Sequence, residues 1–275
     1  MVYGWLIRNG LEVHSNKGQL AVVGTGMMLG AHITPIAKSY VEEADIVFAS
    51  VSHSATETWL SSLNSNFVSL QQHYGEGRSR EETYQLMVNT VLEAVRLGKR
   101  VCAAFYGHPG VFAWAPHELV RVAKADNLNV VFEPGISAED CLYTDLGIDP
   151  GEVGCQHFAA SQFMYHQRRV DSAAYLVIWQ PAMAGDLAMT RFEPDPRYIA
   201  LLAELLMETY PADHQVLLYE AATLPFADPR ADRVYLGELA SAEMAMHTTL
   251  VIPPSEKLKR NQKMIERIKA IAETV

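Results

Sequence analysis

Short apolar runs alternate with helical periodicity along the first half of the chain. The strongest periodic segment has apolar side chains three or four positions apart, which predicts a helix after a polar loop at 71–80. Strand-like runs lie at 19–24, 45–50, 67–70, 99–105 and 128–132, and further helices are predicted at 34–43, at 116–125 and from Ser137. This close alternation predicts a parallel sheet with helices on both faces.

The pattern loosens after about residue 150. Strands are predicted at 174–180, 214–219 and 248–252, and helices at 196–210 and 256–273. We therefore expect an α/β protein of two domains, with an N-terminal arm at 1–18, an N-terminal α/β domain at 19–150 and a C-terminal α/β domain at 151–275. The arm is expected to be disordered or exchanged with a partner.

Glycine motifs follow three of the predicted strands. Tyr106-Gly-His-Pro-Gly-Val-Phe112 follows one strand, and Pro134-Gly-Ile-Ser-Ala-Glu139 follows the next along the chain. Because open α/β sheets bind ligands beyond the carboxyl ends of their strands, these two exits suggest one shared pocket. The first strand ends at Gly24-Thr-Gly26 with Gly30 beyond, and this GxGxxxG spacing departs from the dinucleotide-binding GxGxxG. A nicotinamide-binding module without catalysis is therefore a weaker alternative.

Composition narrows the classes further. The chain of 275 residues has 22 Lys and Arg against 32 Asp and Glu, and this net charge of −10 disfavours nucleic-acid binding. Its three cysteines form no metal-binding or disulfide pattern, so we expect a reducing cytoplasmic setting and no bound metal. No apolar run reaches the roughly 20 residues of a membrane helix, so no membrane association is expected.

Together these motifs resemble the tetrapyrrole (corrin/porphyrin) methylase superfamily, and the resemblance runs from about residue 19 to Pro254. Within the superfamily, the chain is most similar to the borosin-type peptide backbone α-N-methyltransferases. The stretches that carry this similarity are Gly77-Arg-Ser-Arg80 with Thr83-Tyr84, Tyr106 to Phe112, Pro134-Gly-Ile-Ser-Ala-Glu-Asp-Cys141 and Leu146-Gly-Ile-Asp-Pro150.

The resemblance implies a function. It implies an N-terminal parallel sheet, a C-terminal mixed sheet and S-adenosylmethionine held in a cleft between the two domains, with S-adenosylhomocysteine as product. The enzyme would iteratively methylate backbone amide nitrogens of a ribosomal precursor peptide. Because the chain ends at Val275 without an apolar core peptide, we expect the split type with a separate precursor. A homodimer is implied, or a heterotetramer with two precursor chains. The alternative is a C- or O-methyltransferase of the tetrapyrrole or precorrin type.

Amide chemistry directs attention to the phenols and one guanidinium. A peptide nitrogen is a poor nucleophile because its lone pair is delocalised, so its proton must be removed. An unperturbed tyrosine has a pKa of about 10, and a nearby arginine lowers it. By resemblance the catalytic residues are Tyr74, Arg80, Tyr84 and Tyr106, with Tyr74, or Tyr84 assisted by Arg80, as the base. From the pattern alone, a core role for Tyr84 and a solvated helix start for Arg80 are favoured, and Tyr74 is as readily a loop anchor.

The resemblance also assigns cofactor contacts. His108 could instead be a general base, although in such a turn it is more often a loop-fixing residue; His73 is interpreted as structural or substrate-adjacent. Gln71 stands where the fused members carry a further tyrosine. The implied cofactor-binding residues are Tyr106, His108, Val111, Phe112, Ser137, Ala138, Gln180, Ala221, Ala222, Thr248 and Thr249.

Overall fold

The computed structural model describes Trp5, residues 18–75 and residues 77–273. The expectation for the arm at 1–18 falls largely outside these residues. Trp5 is buried, and its ring meets that of Tyr40 edge-on with 5.0 Å between the ring centroids. The described residues form two compact units. The first runs through Ile148 and also includes Asp186–Glu193 and Tyr219–Ala231.

The first unit contains a five-stranded parallel sheet, as the sequence pattern predicts. Its strands lie in the order β3-β2-β4-β1-β5. They are β1 (Gln19–Gly24), β2 (Ile46–Ser50), β3 (Phe67–Ser69), β4 (Arg100–Phe105) and β5 (Asn129–Glu133). Strand β1 is wholly buried beyond its first residue because both of its edges are paired.

Five helices flank or follow these strands. They are α1 (Pro35–Glu43), α2 (Ser54–Leu63), α3 (Arg80–Arg96), α4 (Trp114–Ala125) and α5 (Ala138–Leu146), and a 3-10 turn covers Leu70–His73. Helix α3 begins at a capping box formed by Ser79 and Glu82. Its predicted apolar face is buried, apart from half-buried Tyr84 at its start.

The second sheet is mixed, with strand order β6-β7-β10-β8-β9. Its strands are β6 (Cys155–Ala159), β7 (Tyr175–Trp179), β8 (Gln215–Glu220), β9 (Arg230–Tyr235) and β10 (Thr249–Ile252). Strand β7 runs parallel to β6 and antiparallel to β10. The helices here are α6 (Pro150–Val153), α7 (Ala160–Tyr165), α8 (Pro196–Met207) and α9 (Gln262–Ala272), with 3-10 turns at Pro181–Met183 and Leu236–Ser241.

The sequence pattern missed three α-helices (α2, α6 and α7) and two strands (β6 and β9). Helices α6 and α7 have only four and six residues, too few for a helical periodicity to appear. Helix α2 buries only Thr56 and Leu60, and the side chain of His53 makes no cap hydrogen bond at its start. Strand β6 is half-buried throughout, and β9 is mostly exposed.

All three cysteines are free thiols. Within the described residues, no helix has the length and apolar character needed to cross a membrane.

Candidate functional site

Three strand exits meet at the carboxyl edge of the parallel sheet. Gly24 ends β1, Gly107 follows β4, and Gly135 follows β5. The Gly26 amide donates to the Gly107 carbonyl at 3.2 Å, and the Gly107 amide donates back at 2.9 Å. A Cβ on Gly24 would lie 2.5 Å from the Gly107 oxygen and 2.7 Å from the Gly135 Cα, so side chains are excluded there. The glycine motifs therefore join three loops by backbone contact alone.

The turn after Gly107 is fixed by its own histidine. The Gly110 amide donates to Nδ1 of His108 at 2.9 Å, and the Val111 amide donates to the His108 carbonyl at 3.1 Å. These bonds give His108 a loop-fixing role. Phe112, at the end of the turn, has φ of 49° and exposes 54% of its surface. A left-handed conformation in a bulky residue costs free energy, which is a common feature of functional loops.

Ser137 and Ala138 form the start of α5. The Ser137 hydroxyl donates to the Asp140 carboxylate at 2.8 Å and accepts from the Asp140 amide at 3.3 Å. This capping box satisfies amides of the first helical turn, so the hydroxyl already has a structural task. Ser137 is buried, and its Cα would lie 3.9 Å from a Cβ on Gly107. Helix α5 thus begins directly beside the glycine junction.

The segment after β8 returns to the same loops. The Leu29 amide donates to the Thr223 carbonyl at 2.9 Å, and Nε2 of His53 lies 2.8 Å from Thr223 Oγ1. Ala221 and Ala222, both half-buried, directly precede this anchored threonine. Within the first unit, the structure therefore ties the predicted cofactor residues of this segment to the glycine-rich loop after β1.

The other three predicted cofactor residues belong to the second unit. Gln180, just after β7, is exposed and has φ of 54°. Thr249 is buried in β10 opposite Trp179. Thr248 is fully buried, and its hydroxyl accepts a hydrogen bond from the Ala245 amide at 2.8 Å. Their assignment to a cofactor stays a prediction.

The predicted catalytic tyrosines form one cluster in the first unit. Tyr74 and Tyr84 are half-buried, and both Tyr84 and Tyr106 lie close enough to Tyr74 to affect its ionisation. Two aromatic rings border the pair. Phe192 meets Tyr74 edge-on at 6.3 Å between centroids, and Trp114 stacks on Tyr84 at 6.4 Å. The structure therefore brings these phenols together, as the resemblance implies.

Electrostatics keep the phenols of Tyr74 and Tyr106 protonated. Burial raises the pKa of Tyr74, and the neighbouring Tyr84 and Tyr106 raise it further because like charges would repel. Arg80 acts in the predicted downward direction but is outweighed. Tyr106 exposes 51% of its surface, yet burial around its phenol and the nearness of Tyr84 raise its pKa as well. At neutral pH these groups are hydrogen-bond donors.

Arg80 is engaged by an acid that sequence reasoning missed. Its Nη2 lies 3.0 Å from Oδ2 of Asp186, whose side chain is only 3% exposed. Its Nη1 donates to the Arg191 carbonyl at 3.3 Å, and its backbone amide donates to the Met189 carbonyl at 2.9 Å. Asp186 lies 106 positions from Arg80 in a segment without periodic pattern, so no sequence signal joins the two.

Neighbouring polar residues of the 71–80 loop have structural partners. Nε2 of His73 lies 3.1 Å from Thr90 Oγ1, and burial together with the charge of Arg78 lowers the pKa of His73. The Gln71 side chain donates to the Val51 carbonyl at 2.7 Å. These contacts favour the structural interpretation of His73 and show Gln71 anchoring its loop to the end of β2.

Comparison with known proteins places the chain in a family. Residues 19–266 match the family described as Tetrapyrrole (Corrin/Porphyrin) Methylases, so the chain belongs to that family. Members of this family use S-adenosylmethionine. A solved structure, the uroporphyrin-III-C-methyltransferase from Thermus thermophilus, matches with a TM-score of 0.59 and 18% identity, covering 86% of this chain and 92% of that chain. That likeness confirms the predicted fold.

Curated fungal proteins are more similar in sequence. A methyltransferase/ribosomally synthesized cyclic peptide gymnopeptides precursor of Gymnopus fusipes is 36% identical over 265 residues, covering 95% of this chain and 63% of the relative. A methyltransferase/ribosomally synthesized type I borosin cyclic peptide precursor of Coprinopsis marcescibilis is 36% identical over 261 residues, covering 91% and 66%. The chain thus spans less than two thirds of these relatives.

Proposed function

We propose that this protein is an S-adenosylmethionine-dependent methyltransferase that iteratively methylates backbone amide nitrogens of a ribosomal precursor peptide. The observation that carries the proposal is the cluster that brings Tyr84, Tyr106 and Arg80 close to Tyr74. Relatives named as methyltransferases joined to cyclic peptide precursors support a peptide as substrate. Within the superfamily, methylation of an already reactive tetrapyrrole carbon would not require such an amide-activating cluster.

The cluster suits the difficulty of the reaction. An amide nitrogen becomes nucleophilic only when its proton leaves and negative charge gathers on the carbonyl oxygen. Fixed donors aimed at that oxygen stabilise the charge as it develops. The Arg80 guanidinium and a neutral Tyr106 phenol supply such donors. Half-burial of Tyr74 and Tyr84 strengthens these interactions because water screens them less.

The ionisation of Tyr74 distinguishes the two base candidates. Burial first, and the neighbouring Tyr84 and Tyr106 after it, raise the pKa of Tyr74, so this phenol stays protonated near neutral pH and is a poor proton acceptor. A protonated Tyr74 beside Tyr84 can instead donate a hydrogen bond to it. We therefore assign proton removal to Tyr84, with Tyr74 as its supporting donor. Arg80, four positions before Tyr84 on the same face of α3, holds the amide oxygen.

The glycine junction fits the cofactor of the family. S-adenosylmethionine has no phosphate to cradle, and it supplies an electrophilic methyl group when bound. Loops that approach by bare backbone, as at Gly107, let a flat adenosine ring or an amino-acid group lie close to the main chain. The aromatic faces of Tyr106 and Phe112 attract a sulfonium cation. In the first unit, the residues proposed to hold the cofactor are Tyr106, His108, Val111, Phe112, Ser137, Ala138, Ala221 and Ala222.

The substrate arrangement and assembly are part of the proposal. We propose that the precursor is a separate chain, as in the split type, and that the enzyme acts as a homodimer or as a heterotetramer with two precursors. The family resemblance supports the homodimer, whereas the relatives named above join the methyltransferase and the precursor, so the separate precursor is the part of the proposal that needs its own test. Methylation of a precursor added in trans tests the first, and light scattering of the purified protein with and without precursor tests the second.

Binding and transfer assays test the proposed class. Calorimetric titration should show binding of S-adenosylmethionine and none of NAD. With methyl-labelled S-adenosylmethionine, label should pass to a precursor peptide with an apolar C-terminal segment and not to uroporphyrinogen. Transfer to the tetrapyrrole alone would establish the alternative C- or O-methyltransferase, and NAD binding without donor binding would establish the non-catalytic module.

A further inference from the structure

The charge of Arg80 stands at an unfavourable place in α3. Arg80 is the first residue of that helix, where the helix dipole disfavours positive charge. Its side chain is 15% exposed, so water screens the charge only weakly. A buried or half-buried guanidinium needs an opposite charge. The carboxylate of Asp186, at 3.0 Å, provides it.

Asp186 also organises the segment that reaches the tyrosines. Its Oδ2 accepts the Arg191 amide at 3.1 Å, and its Oδ1 accepts the Thr190 amide at 3.4 Å. The folded segment then directs the Met189 and Arg191 carbonyls to Arg80. The residue after Arg191 is Phe192, whose ring meets Tyr74. A single carboxylate therefore holds both a guanidinium and the segment that covers a phenol.

We propose that Asp186 is a positioning residue whose carboxylate fixes the Arg80 guanidinium and offsets its charge beside the Tyr74–Tyr84 pair. This proposal rests on the proposed function, in which the Tyr74–Tyr84 pair takes part in catalysis. The titratable groups that act on Tyr74 are Tyr84, Tyr106 and Arg80. Asp186 pairs with Arg80 and lies 4.0 Å from the Arg191 guanidinium, and His73 and Arg78 belong to the preceding loop.

Loss of the Asp186 charge should shift the ionisation of the tyrosine pair in one direction. Removing the Asp186 charge leaves the Arg80 charge uncompensated, and an uncompensated cation favours a nearby phenolate. The first proton of the Tyr74–Tyr84 pair should then leave at lower pH. Because Tyr84 affects the ionisation of Tyr74, the measured value would belong to both phenols. A merely structural aspartate would not move this value in a folded variant.

Fluorine NMR of protein labelled with fluorotyrosine measures this titration without substrate. Tyr74→Phe and Tyr84→Phe assign the two resonances. Asp186→Asn keeps an oxygen acceptor and should lower the pH of the first ionisation by on the order of one unit. The matched control is Asp126→Asn, which removes the partner of Arg96 at the far end of the same helix, about 24 Å away at 1.5 Å per residue. It should leave the titration unchanged.

The outcomes separate this inference from the proposed function. A folded Asp186→Asn with an unshifted titration, or an equal shift in Asp126→Asn, overturns the inference. A shift without any methylation of peptide would sustain it and reject the proposed function. Should Asp186→Asn fail to fold, Asp186→Glu keeps the charge and displaces it by one methylene. We expect Asp186→Glu to lower kcat at least tenfold with donor affinity unchanged; wild-type kcat would overturn the inference.

Discussion

Gly24 and Gly107 approach so closely that a Cβ on Gly24 would lie 2.5 Å from the Gly107 carbonyl oxygen. The loops after β1 and β4 can meet only because this position has no side chain. Since Gly24 does not have a positive φ, the close approach alone makes glycine necessary there. The contact joins the first strand exit to the turn that carries His108 and Phe112.

Gly24→Ala should therefore separate these loops. We expect the free energy of unfolding to fall by about 2 kcal/mol, because the backbone atoms it meets cannot move aside cheaply. Affinity for S-adenosylmethionine should fall with it. Urea denaturation and calorimetric titration measure the two effects. Gly75→Ala is the control, since a Cβ there meets nothing within 4 Å, and its stability should change by less than about 0.5 kcal/mol. Equal stability of both variants would contradict the close-contact explanation.

The tyrosine pair gives a kinetic prediction. Tyr84→Phe should lower kcat by about 10³-fold, because it removes the proposed base. Tyr74→Phe removes only the supporting donor, so its kcat should fall less, by about 10-fold to 10²-fold. Affinity for S-adenosylmethionine should be unchanged in both variants. Single-turnover methylation with saturating donor measures the difference. A reversed order, with Tyr74→Phe the more damaging, would return the base role to Tyr74.

Two buried tyrosines should respond oppositely to loss of their hydroxyls. The Tyr219 hydroxyl donates to Asp145 at 2.6 Å, so Tyr219→Phe should destabilise by about 1.5 kcal/mol. The buried Tyr210 hydroxyl has no hydrogen-bond partner among the described residues. Tyr210→Phe should leave stability unchanged or raise it by up to about 1 kcal/mol. Urea denaturation at pH 7 compares the two variants. A larger loss of stability in Tyr210→Phe than in Tyr219→Phe would contradict the difference in hydrogen bonding between the two hydroxyls.

The same Tyr210 substitution predicts a pH effect. Burial first, and the charge of Asp171 second, raise the pKa of Tyr210 to about 12, above the value of about 10 expected in the unfolded chain. The folded state thus favours the protonated phenol, and this contribution is complete below about pH 10 and is lost as the pH rises towards 12. Tyr210→Phe should lose less stability than wild type over that interval. If wild type and Tyr210→Phe lose stability equally over that interval, the raised pKa of Tyr210 is refuted.

Phe112 allows a test of stored backbone strain. Its φ of 49° is left-handed, and its side chain is largely exposed, so Phe112→Gly should stabilise the fold by about 1 kcal/mol. Donor affinity should nevertheless fall, because the ring is proposed to face the sulfonium. Asn127→Gly is the matched control: Asn127 has φ of 54° but asparagine tolerates this conformation, so the gain should be smaller. If Phe112→Gly binds S-adenosylmethionine as tightly as wild type, the Phe112 ring does not contribute to the cofactor site.

The sequence predicted most of the first unit because its elements have strong local signals. Helix α3 combines a capping box with a continuous buried face, and α1 begins with Thr34 capping before Pro35. Helix α2 was missed because it buries little. Candidate site residues could be predicted from the sequence where they belong to a motif. Asp186 could not be predicted, because it meets Arg80 only through the return of 186–193 to the first unit.

The most direct test of the proposed activity locates the transferred methyl group. A precursor peptide with an apolar C-terminal segment is incubated with enzyme and S-adenosylmethionine, and the product is fragmented in a mass spectrometer. We predict single methyl-mass increments on successive backbone nitrogens, absent when Tyr84→Phe replaces the wild-type enzyme. Methyl groups confined to side chains, or an unmodified peptide beside a methylated tetrapyrrole, would contradict the assignment of this protein as a peptide backbone N-methyltransferase.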